Sequence, residues 1–305
     1  MELRILQKRA LETKLRRDPT FWACYPHPRF PTLSITGDAC ALRCKHCGGR
    51  YLQHMLPCLT PNVLRKTCLE LAENGARGVL ISGGYNEDGY VPFEPFINEI
   101  ERVKRETGLF LSVHTGLVPE WLALELGRAG IDLADFDLMG DDETIELVLG
   151  IGRTVKDYRR AMKALKRSLP YVVPHVCIGT HKGEIHGEFR ALDMASEIGP
   201  PAIVLLVLTP TPGTEFENLA APSPGDVERV AVKARLKFPH AQLALGCMRP
   251  RDSQRVEIEL AALRAGVDRM EIPSEQTIKA ARAMGFNIRR LDACCAVPFE
   301  NFTGV

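Results

Sequence analysis

Short β-branched segments alternate with amphipathic helical segments between residues 32 and 285, and this alternation limits the possible folds more than any other feature. Eight segments are predicted as strands: Thr32–Thr36, Gly78–Ser82, Leu109–His114, Ile131–Asp137, Tyr171–Ile178, Ala202–Leu208, Gln242–Cys247 and Val267–Ile272. Strands that alternate with helices form parallel sheets, and eight βα units can close into a barrel. We therefore predict an α/β protein, a (βα)8 TIM-type barrel. An open doubly wound sheet is disfavoured because no GxGxxG follows the first strand.

The ends of the helical segments carry the expected signals. Thr60, followed by a proline, predicts a capped helix start, and Gly75 predicts the end of that helix. Further helices are expected to end at Gly108, Gly130, Gly199, Gly266 and Gly285. We divide the chain into an N-terminal extension (1–30) with a leading helix, the barrel (31–285) and a C-terminal tail (286–305).

Composition and charge exclude several classes of protein. The 305 residues are 45% hydrophobic and 25% charged, with a formal net charge of +1, which excludes a mainly disordered chain. Because there is no basic surplus, nucleic acid is not expected as the main partner. No apolar run of about 18 residues occurs, so no membrane span is expected. The charged N-terminus lacks the apolar region of a signal peptide, and we expect a cytoplasmic protein.

Three cysteines follow the first predicted strand. Cys40, Cys44 and Cys47 have the spacing C-x3-C-x2-C, in a chain with ten cysteines. In a reducing compartment, clustered cysteines favour metal binding over disulfides. Three thiolates can hold three corners of a [4Fe–4S] cube and leave the fourth iron open to a chelating ligand. Zinc is the alternative, but structural zinc takes four ligands, usually in CxxC pairs. A loop at the C-terminal end of a barrel strand, where such barrels have their active sites, favours iron–sulfur chemistry.

This loop resembles the signature of the radical S-adenosylmethionine (SAM) superfamily. The resemblance implies that the three cysteines ligate a [4Fe–4S] cluster and that SAM chelates its open iron. Reductive cleavage of SAM then gives a 5′-deoxyadenosyl radical. The segment Ser82-Gly83-Gly84, after the second strand, resembles the motif whose backbone meets the methionine amino group. Two residues depart from the usual pattern: His46 stands where an aromatic residue is common, and Tyr85 where an acidic residue is common.

The resemblance spans about residues 30–295 and is closest to biotin synthase and its relatives. It implies that Asp137 contacts the ribose of SAM, which a carboxylate can do by accepting hydroxyl hydrogen bonds; helix capping is the alternative. His114 is the histidine best placed to face the cavity, with a hydrogen-bonded core histidine as the alternative. Glu188 is a further candidate contact, with a first-turn helix acid as the alternative. Arg249 can bind a carboxylate, or lie on the surface.

Four further cysteines suggest a second iron–sulfur cluster. Cys247 ends the seventh strand, Cys294 and Cys295 lie in the tail, and Cys24 precedes the barrel. In biotin synthase the position of Cys247 is an arginine beside an auxiliary cluster. A tail that folds back over the barrel and a segment that precedes it can bring all four to one end, where they can supply the ligands of a second [4Fe–4S] cluster. Because adjacent cysteines rarely both bind one cluster, a free thiol at Cys294 or Cys295 is an alternative. Cys58 is an alternative to Cys24 in this set. The other interpretation is that these are buried small apolar residues, as unpaired cysteines commonly are.

Within the biotin-synthase-like group, the chain most resembles the second component of the archaeal two-protein lipoyl synthase. This implies hydrogen abstraction from a protein-bound octanoyl chain and insertion of one sulfur atom from the second cluster. The implied partners are a lipoyl carrier protein, a partner radical SAM protein and an electron donor such as ferredoxin. One alternative is a radical SAM reaction on a small-molecule substrate of cofactor or amino-acid metabolism, without sulfur insertion. The other is a non-catalytic iron–sulfur protein, which the glycine motif and the eight-unit barrel disfavour.

Overall fold

The computed structural model describes residues 2–298, and eleven strands lie within that range. They are β1 (Thr20–Cys24), β2 (Thr32–Ser34), β3 (Leu56–Pro57), β4 (Gly78–Ser82), β5 (Phe110–His114), β6 (Leu133–Asp137), β7 (Tyr171–Ile178), β8 (Ala202–Val207), β9 (Gln242–Leu245), β10 (Arg269–Glu271) and β11 (Asn287–Leu291). Every predicted strand is present, as β2 and β4 to β10.

Ten α-helices lie in the same described range. They are α1 (Glu2–Arg17), α2 (Pro61–Glu73), α3 (Ile97–Thr107), α4 (Glu120–Arg128), α5 (Asp142–Leu149), α6 (Val155–Ser168), α7 (Glu188–Ser196), α8 (Pro224–Lys237), α9 (Arg255–Arg264) and α10 (Glu275–Ala283). One or two helices separate each pair of consecutive strands from β4 to β11, and α2 separates β3 from β4. This alternation confirms the predicted α/β class of the TIM-barrel type.

Two compact units divide the chain, and the strands in each are parallel. The first unit holds the described parts of residues 1–26, 138–144 and 174–305. Its neighbouring strands run in the order β11, β1, β10, β9, β8, β7. The second unit holds residues 27–137 and 145–173, and its neighbouring strands run in the order β6, β5, β4, β2, β3.

The predicted helix boundaries are confirmed where the cap geometry is visible. The Thr60 side chain accepts a hydrogen bond from Val63 N and caps α2, with Pro61 at the first helical position. Gly75, just after that helix, has a φ of 83°, a left-handed conformation that side chains disfavour. The local signals therefore fix where α2 begins and ends.

The extension and the tail each contribute a strand that the sequence analysis did not predict. β1 pairs with β10 on one side and with β11 on the other, so residues of the extension and the tail lie in the same sheet. Cys24, the last residue of β1, is in register with Glu271 and Leu291. These strands bring distant cysteines to the C-terminal ends of neighbouring strands.

Buried charge anchors the leading helix to the first unit. The carboxylate of Asp268, just before β10, accepts hydrogen bonds from Arg17 and Arg235, and Lys14 Nζ lies 2.9 Å from it. The side chains of Lys14, Arg235 and Asp268 are fully buried. Buried charges are stable only when paired in this way.

The strands are buried as parallel strands usually are. Every residue of β4 and of β8 is buried, and both segments read as continuous apolar runs because both faces of a parallel sheet are covered. Among residues 2–298, no helix is both long enough and apolar enough to cross a bilayer.

Candidate active site

The loop thiols, which we define as those of Cys40, Cys44 and Cys47, lie in the second unit after β2. A tight turn closes between two of them, since Cys47 N donates to Cys44 O at 3.0 Å and Gly48 N donates to the same oxygen at 2.8 Å. Gly48 has a φ of 54° in this turn. The turn places the thiols of Cys44 and Cys47 within hydrogen-bonding distance of each other.

The two thiols of this turn have opposite protonation preferences. The hydrogen bond between them, followed by burial, raises the pKa of Cys44. The same hydrogen bond lowers the pKa of Cys47 against the effect of burial, and His46 lowers it further by a hydrogen bond and its charge. A stabilised thiolate is the form of cysteine that binds metals. His46, which departs from the family pattern, therefore favours the thiolate form of Cys47.

The glycine motif supports the loop directly. Gly84 N donates to Thr36 Oγ1 at 2.7 Å, and Ala41 N donates to Tyr85 O at 2.8 Å. A Cβ on Gly84 would lie 2.0 Å from Ala39 O and 2.6 Å from the Cα of Cys40. Only glycine fits at this position, because the backbone of the cysteine loop occupies the side-chain space. The contact of Ser82, Gly83 and Gly84 with SAM stays a prediction.

A cavity of about 390 Å³ opens on the cysteine loop. Its lining residues are Asp38, Ala39, Cys40, Ala41, Arg43 and Gly48. This volume is in the range of small-ligand sites. Three thiols on one loop, one stabilised as a thiolate, beside a cavity of this size, fit a [4Fe–4S] cluster with an exchangeable ligand on its open iron.

A group of polar side chains lies in the same unit as the loop thiols. His114 Nδ1 is 4.0 Å from Asp137 Oδ2, so the structure brings these two predicted residues together. Tyr85 and Tyr158 both interact electrostatically with Asp137 and Cys44. Burial, followed by the charge of Asp137, raises the pKa of each phenol, so both hydroxyls stay protonated hydrogen-bond donors.

Neither tyrosine is predicted as a site residue from the sequence. Tyr85 differs from the glycine motif of the family, and Tyr158 lies within α6, far along the chain. A signal for Tyr85 existed, because it directly follows a motif at the end of a central strand. Nothing in the local pattern around Tyr158 distinguishes it from a core residue of an amphipathic helix.

The assembled thiols, which we define as those of Cys24, Cys247, Cys294 and Cys295, lie together in the first unit. Cys294 and Cys295 are joined by a hydrogen bond, and Cys295 interacts electrostatically with Cys24 and Cys247. Cys294 also interacts with Cys24 and Cys247. The structure therefore brings all four thiols together from three separate chain segments. Cys58 instead lies beside Cys68 in the second unit.

Two charged residues of β10 face the assembled thiols. Arg269 is fully buried, and its Nη1 donates to Cys295 O at 2.9 Å and to Val297 O at 2.5 Å. These bonds hold the tail back against the strand. Arg269 and Glu271 both interact electrostatically with Cys24 and Cys295. Burial, above all, raises the pKa of Cys24 to about 12, so this thiol needs a bound metal to lose its proton at neutral pH.

Glu188 and Arg249 are occupied within the protein. Glu188 begins α7, and its carboxylate accepts from Gly179 N at 2.7 Å and from His186 N at 2.8 Å, which agrees with the helix-acid alternative. Its contact with SAM stays a prediction. Arg249 is fully buried beside Glu259, with Nη2 to Oε1 at 2.7 Å. Its interpretation as a surface residue is wrong, because it joins the loop after β9 to the end of β10.

Comparisons with known proteins agree with this geometry. Residues 34–208 match the radical SAM superfamily, a span that contains the loop thiols, the glycine motif and Asp137. Biotin synthase from Coxiella burnetii is 28% identical over 184 residues, which cover 58% of this chain and 55% of that protein. The chain thus matches about half the length of these curated relatives.

Solved structures share the fold along most of the chain. Methylornithine synthase (PylB) has a TM-score of 0.63 at 17% identity, covering 94% of this chain and 89% of that one. The hydrogenase maturase HydG from Carboxydothermus hydrogenoformans has a TM-score of 0.64 at 14% identity, and the likeness covers 96% of this chain and 73% of that one. At these identities the likeness establishes the fold, while the match over 34–208 establishes the family. The chain belongs to the radical SAM superfamily.

Proposed function

We propose that this chain is a radical SAM enzyme that inserts sulfur into an unactivated carbon, with a protein-bound octanoyl chain as its substrate. The observation that carries the proposal is the group of assembled thiols. A superfamily member needs only the loop thiols for SAM cleavage, and a second set of four thiols supplies ligands for another [4Fe–4S] cluster. The partial match to biotin synthase supports the same chemistry.

The site residues have separable tasks in this proposal. The loop thiols hold the first cluster, and SAM bound there supplies a carbon radical after one-electron reduction. Asp137 accepts hydrogen bonds from the ribose, and the phenols of Tyr85 and Tyr158 stay protonated beside it. Positioning of this kind is the protein's main contribution when a cofactor carries the reaction.

The assembled thiols hold the sulfur source. A second cluster held there would supply the sulfur. The C–H bond would break as its hydrogen atom passes to the 5′-deoxyadenosyl radical, a C–S bond would form to a cluster sulfide as its Fe–S bonds break, and a cluster iron would accept the remaining electron. Arg269 and Glu271 place opposite charges beside these thiols, and hydrogen bonds from Arg269 fix the tail that carries two of them. The tail is therefore a structural part of the second site.

The proposed partners follow from the substrate. A lipoyl carrier domain presents the octanoyl-lysyl arm, and an electron donor such as ferredoxin reduces the first cluster. A second radical SAM protein inserts the other sulfur atom, because the proposed enzyme inserts one.

The test is a single-turnover reaction with the anaerobically reconstituted protein. The protein is mixed with SAM, a one-electron reductant and an octanoyl-lysyl carrier peptide, and the products are separated by mass spectrometry. We expect 5′-deoxyadenosine and a peptide that has gained one sulfur atom. Iron analysis runs in parallel, with about eight irons per chain for two [4Fe–4S] clusters.

Matched cysteine variants separate the two sites. Cys247→Ala is expected to keep 5′-deoxyadenosine formation and lose the sulfur product, whereas Cys177→Ala, in β7 and outside both thiol groups, keeps both. A Cys40/Cys44/Cys47 triple alanine variant is expected to lose 5′-deoxyadenosine. About four irons in the wild type, or 5′-deoxyadenosine without any sulfur product while both clusters are intact, would contradict sulfur insertion and favour another radical SAM reaction.

A further inference from the structure

Two loops of the first unit approach each other through glycines. One loop follows β6 (138–141) and leads into α5, and the other follows β7 (179–187). A Cβ on Gly140 would lie 2.2 Å from Gly187 O, and a Cβ on Gly187 would lie 2.7 Å from Asp141 Cβ. The two backbones are therefore in direct contact, and side chains that flank the glycines are held close together.

Three side chains with metal-binding atoms converge where these loops meet. Asp141, His181 and His186 each offer one ligand atom, and the three atoms lie within 4.8 Å of one another. His186 Nε2 is 3.4 Å from Asp141 Oδ2 and 3.7 Å from Glu143 Oε2. The rings of His181 and His186 are stacked, with centroids 4.3 Å apart. Their H-x4-H spacing falls within the range common in zinc sites.

Thr144 orients two of these side chains. Its hydroxyl donates to Asp141 Oδ2 at 2.8 Å and lies 3.0 Å from His181 Nδ1. Since the hydroxyl proton is given to the carboxylate, His181 Nδ1 is the donor in the second contact. The lone pair of His181 is then on Nε2, the atom left for a ligand. Metal-binding histidines usually have such a partner on the other ring nitrogen.

Helix capping alone does not account for this arrangement. Asp141 Oδ2 caps α5 by accepting from Thr144 N at 2.7 Å, but a cap requires no histidines. Capping uses Oδ2 and leaves Oδ1 available. Glu143 is largely exposed, with 73% of its side-chain area accessible, so it can turn toward the group.

We propose that Asp141, His181 and His186 bind one divalent transition-metal ion, with Glu143 within reach as a further ligand. Imidazole and carboxylate donors suit zinc and its first-row neighbours, whereas the thiol groups of this chain suit iron–sulfur clusters. The bound ion joins the loop after β6 to the loop after β7, and it keeps open positions for water because the group is half-exposed. This site is independent of the proposed sulfur chemistry.

The test uses the protein with both thiol groups loaded as iron–sulfur clusters and Zn²⁺ as the probe. After equilibration with Zn²⁺ and removal of the excess, we expect about one zinc ion per chain. X-ray absorption at the zinc edge should show nitrogen and oxygen neighbours at about 2.0–2.1 Å and no sulfur at about 2.3 Å. Bound zinc should also raise the thermal midpoint of unfolding.

Variants connect the zinc ion to these residues. His181→Ala with His186→Ala should lose the zinc and the thermal shift, while His240→Ala, an exposed histidine elsewhere in the first unit, should keep both. Thr144→Val should weaken zinc binding by about 10–100-fold, and Thr144→Ser should restore it because the hydroxyl returns.

If the variant that lacks both histidines fails to fold, His186→Ala, Thr144→Val and Thr144→Ser still test whether these residues bind the zinc ion. Zinc that has only sulfur neighbours, or zinc content that is equal in wild type, His186→Ala and Thr144→Val, would overturn the site.

Discussion

The loop thiols and the assembled thiols are built in different ways. The loop thiols come from eight consecutive residues, 40–47, and their turn is closed by backbone hydrogen bonds within the same loop. The assembled thiols come from the end of β1, the loop after β9 and the tail that follows β11. They meet because β11, β1, β10 and β9 are consecutive neighbours in one parallel sheet. A loop motif is visible as a spacing, whereas an assembled group depends on which strands become neighbours.

The supporting contacts differ in the same way. The glycine motif packs against the backbone of the loop that carries the loop thiols, and this contact leaves no room for a side chain at Gly84. The assembled thiols depend on buried charges: Arg269 holds the tail, and the pair of Arg249 and Glu259 holds the loop that carries Cys247. We therefore expect the first group to be sensitive to added volume and the second to be sensitive to lost charge.

The largest effect is expected from Gly84→Ala. The new Cβ would overlap Ala39 O and Cys40 Cα, so the cysteine loop must move. We expect iron to fall from about eight to about four per chain and 5′-deoxyadenosine formation to stop. Gly225→Ala is the matched control, because its Cβ meets only Ser223 Oγ, at 3.6 Å. Full iron and normal SAM cleavage in Gly84→Ala would show that this close approach does not position the thiols.

The next largest effect is expected from Arg269→Met, which should cause loss of the second cluster and leave the first in place. The carbonyls of Cys295 and Val297 lose their charged donor, and each such hydrogen bond contributes about 1.5–3 kcal/mol. Urea unfolding should show a decrease of about 4 kcal/mol in the free energy of unfolding. Iron should fall to about four per chain while 5′-deoxyadenosine formation continues. Arg289→Met, an exposed arginine on β11, is the control, and equal iron content in both variants would separate Arg269 from the assembled thiols.

Low pH should weaken the ion pair of Arg249 and Glu259, which holds the loop that carries Cys247. Burial opposes ionisation of this carboxyl, but hydrogen bonds from Arg249 and Ser274 lower its pKa to about 2. A lowered pKa contributes stability above the ordinary value of 4.5, and this contribution is lost as pH falls from about 4.5 toward about 2. At neutral pH, Glu259→Gln should lower the free energy of unfolding by about 3 kcal/mol.

The same substitution should flatten the acid dependence of unfolding, as measured by urea titrations at several pH values. Glu257→Gln, exposed on the same helix, should leave the wild-type dependence unchanged. An equally steep loss of stability in acid for Glu259→Gln would assign the acid sensitivity to another group.

The fold and the loop site were predictable because their signals are local. Alternating segments, the cap at Thr60 and the spacing of Cys40, Cys44 and Cys47 each describe a short piece of chain, and the structure contains the corresponding strands, helix and turn. Strands β1 and β11 are not predicted because their sequences, TFWAC and NIRRL, each contain a single β-branched residue. Their existence depends on pairing with β10 and with each other.

The other site features could not be predicted from the sequence, because they depend on contacts between residues far apart along the chain. Tyr158, in α6, interacts electrostatically with Cys44, but its local pattern is that of a core residue. The convergence of Asp141 with His181 and His186 depends on two glycines that let loops after different strands touch. The grouping of Cys24 with Cys247 is expected from the place of Cys24 before the barrel, but the geometry of the group depends on the pairing of β1 with β10.

The smallest effect is expected at Asp137, where the loop site meets its polar neighbours. Asp137→Asn keeps the shape of the side chain but removes the charge that Tyr85 and Tyr158 face. If the carboxylate accepts the ribose hydroxyls, the KM for SAM should rise about tenfold, equivalent to about 1.4 kcal/mol, with a smaller change in kcat. Steady-state formation of 5′-deoxyadenosine measures both constants. Asp193→Asn, an exposed carboxylate on α7, is the matched control. A fall in kcat with an unchanged KM would mean that Asp137 positions the cysteine loop through the tyrosines instead of binding SAM, which would place it among the supports of the loop thiols.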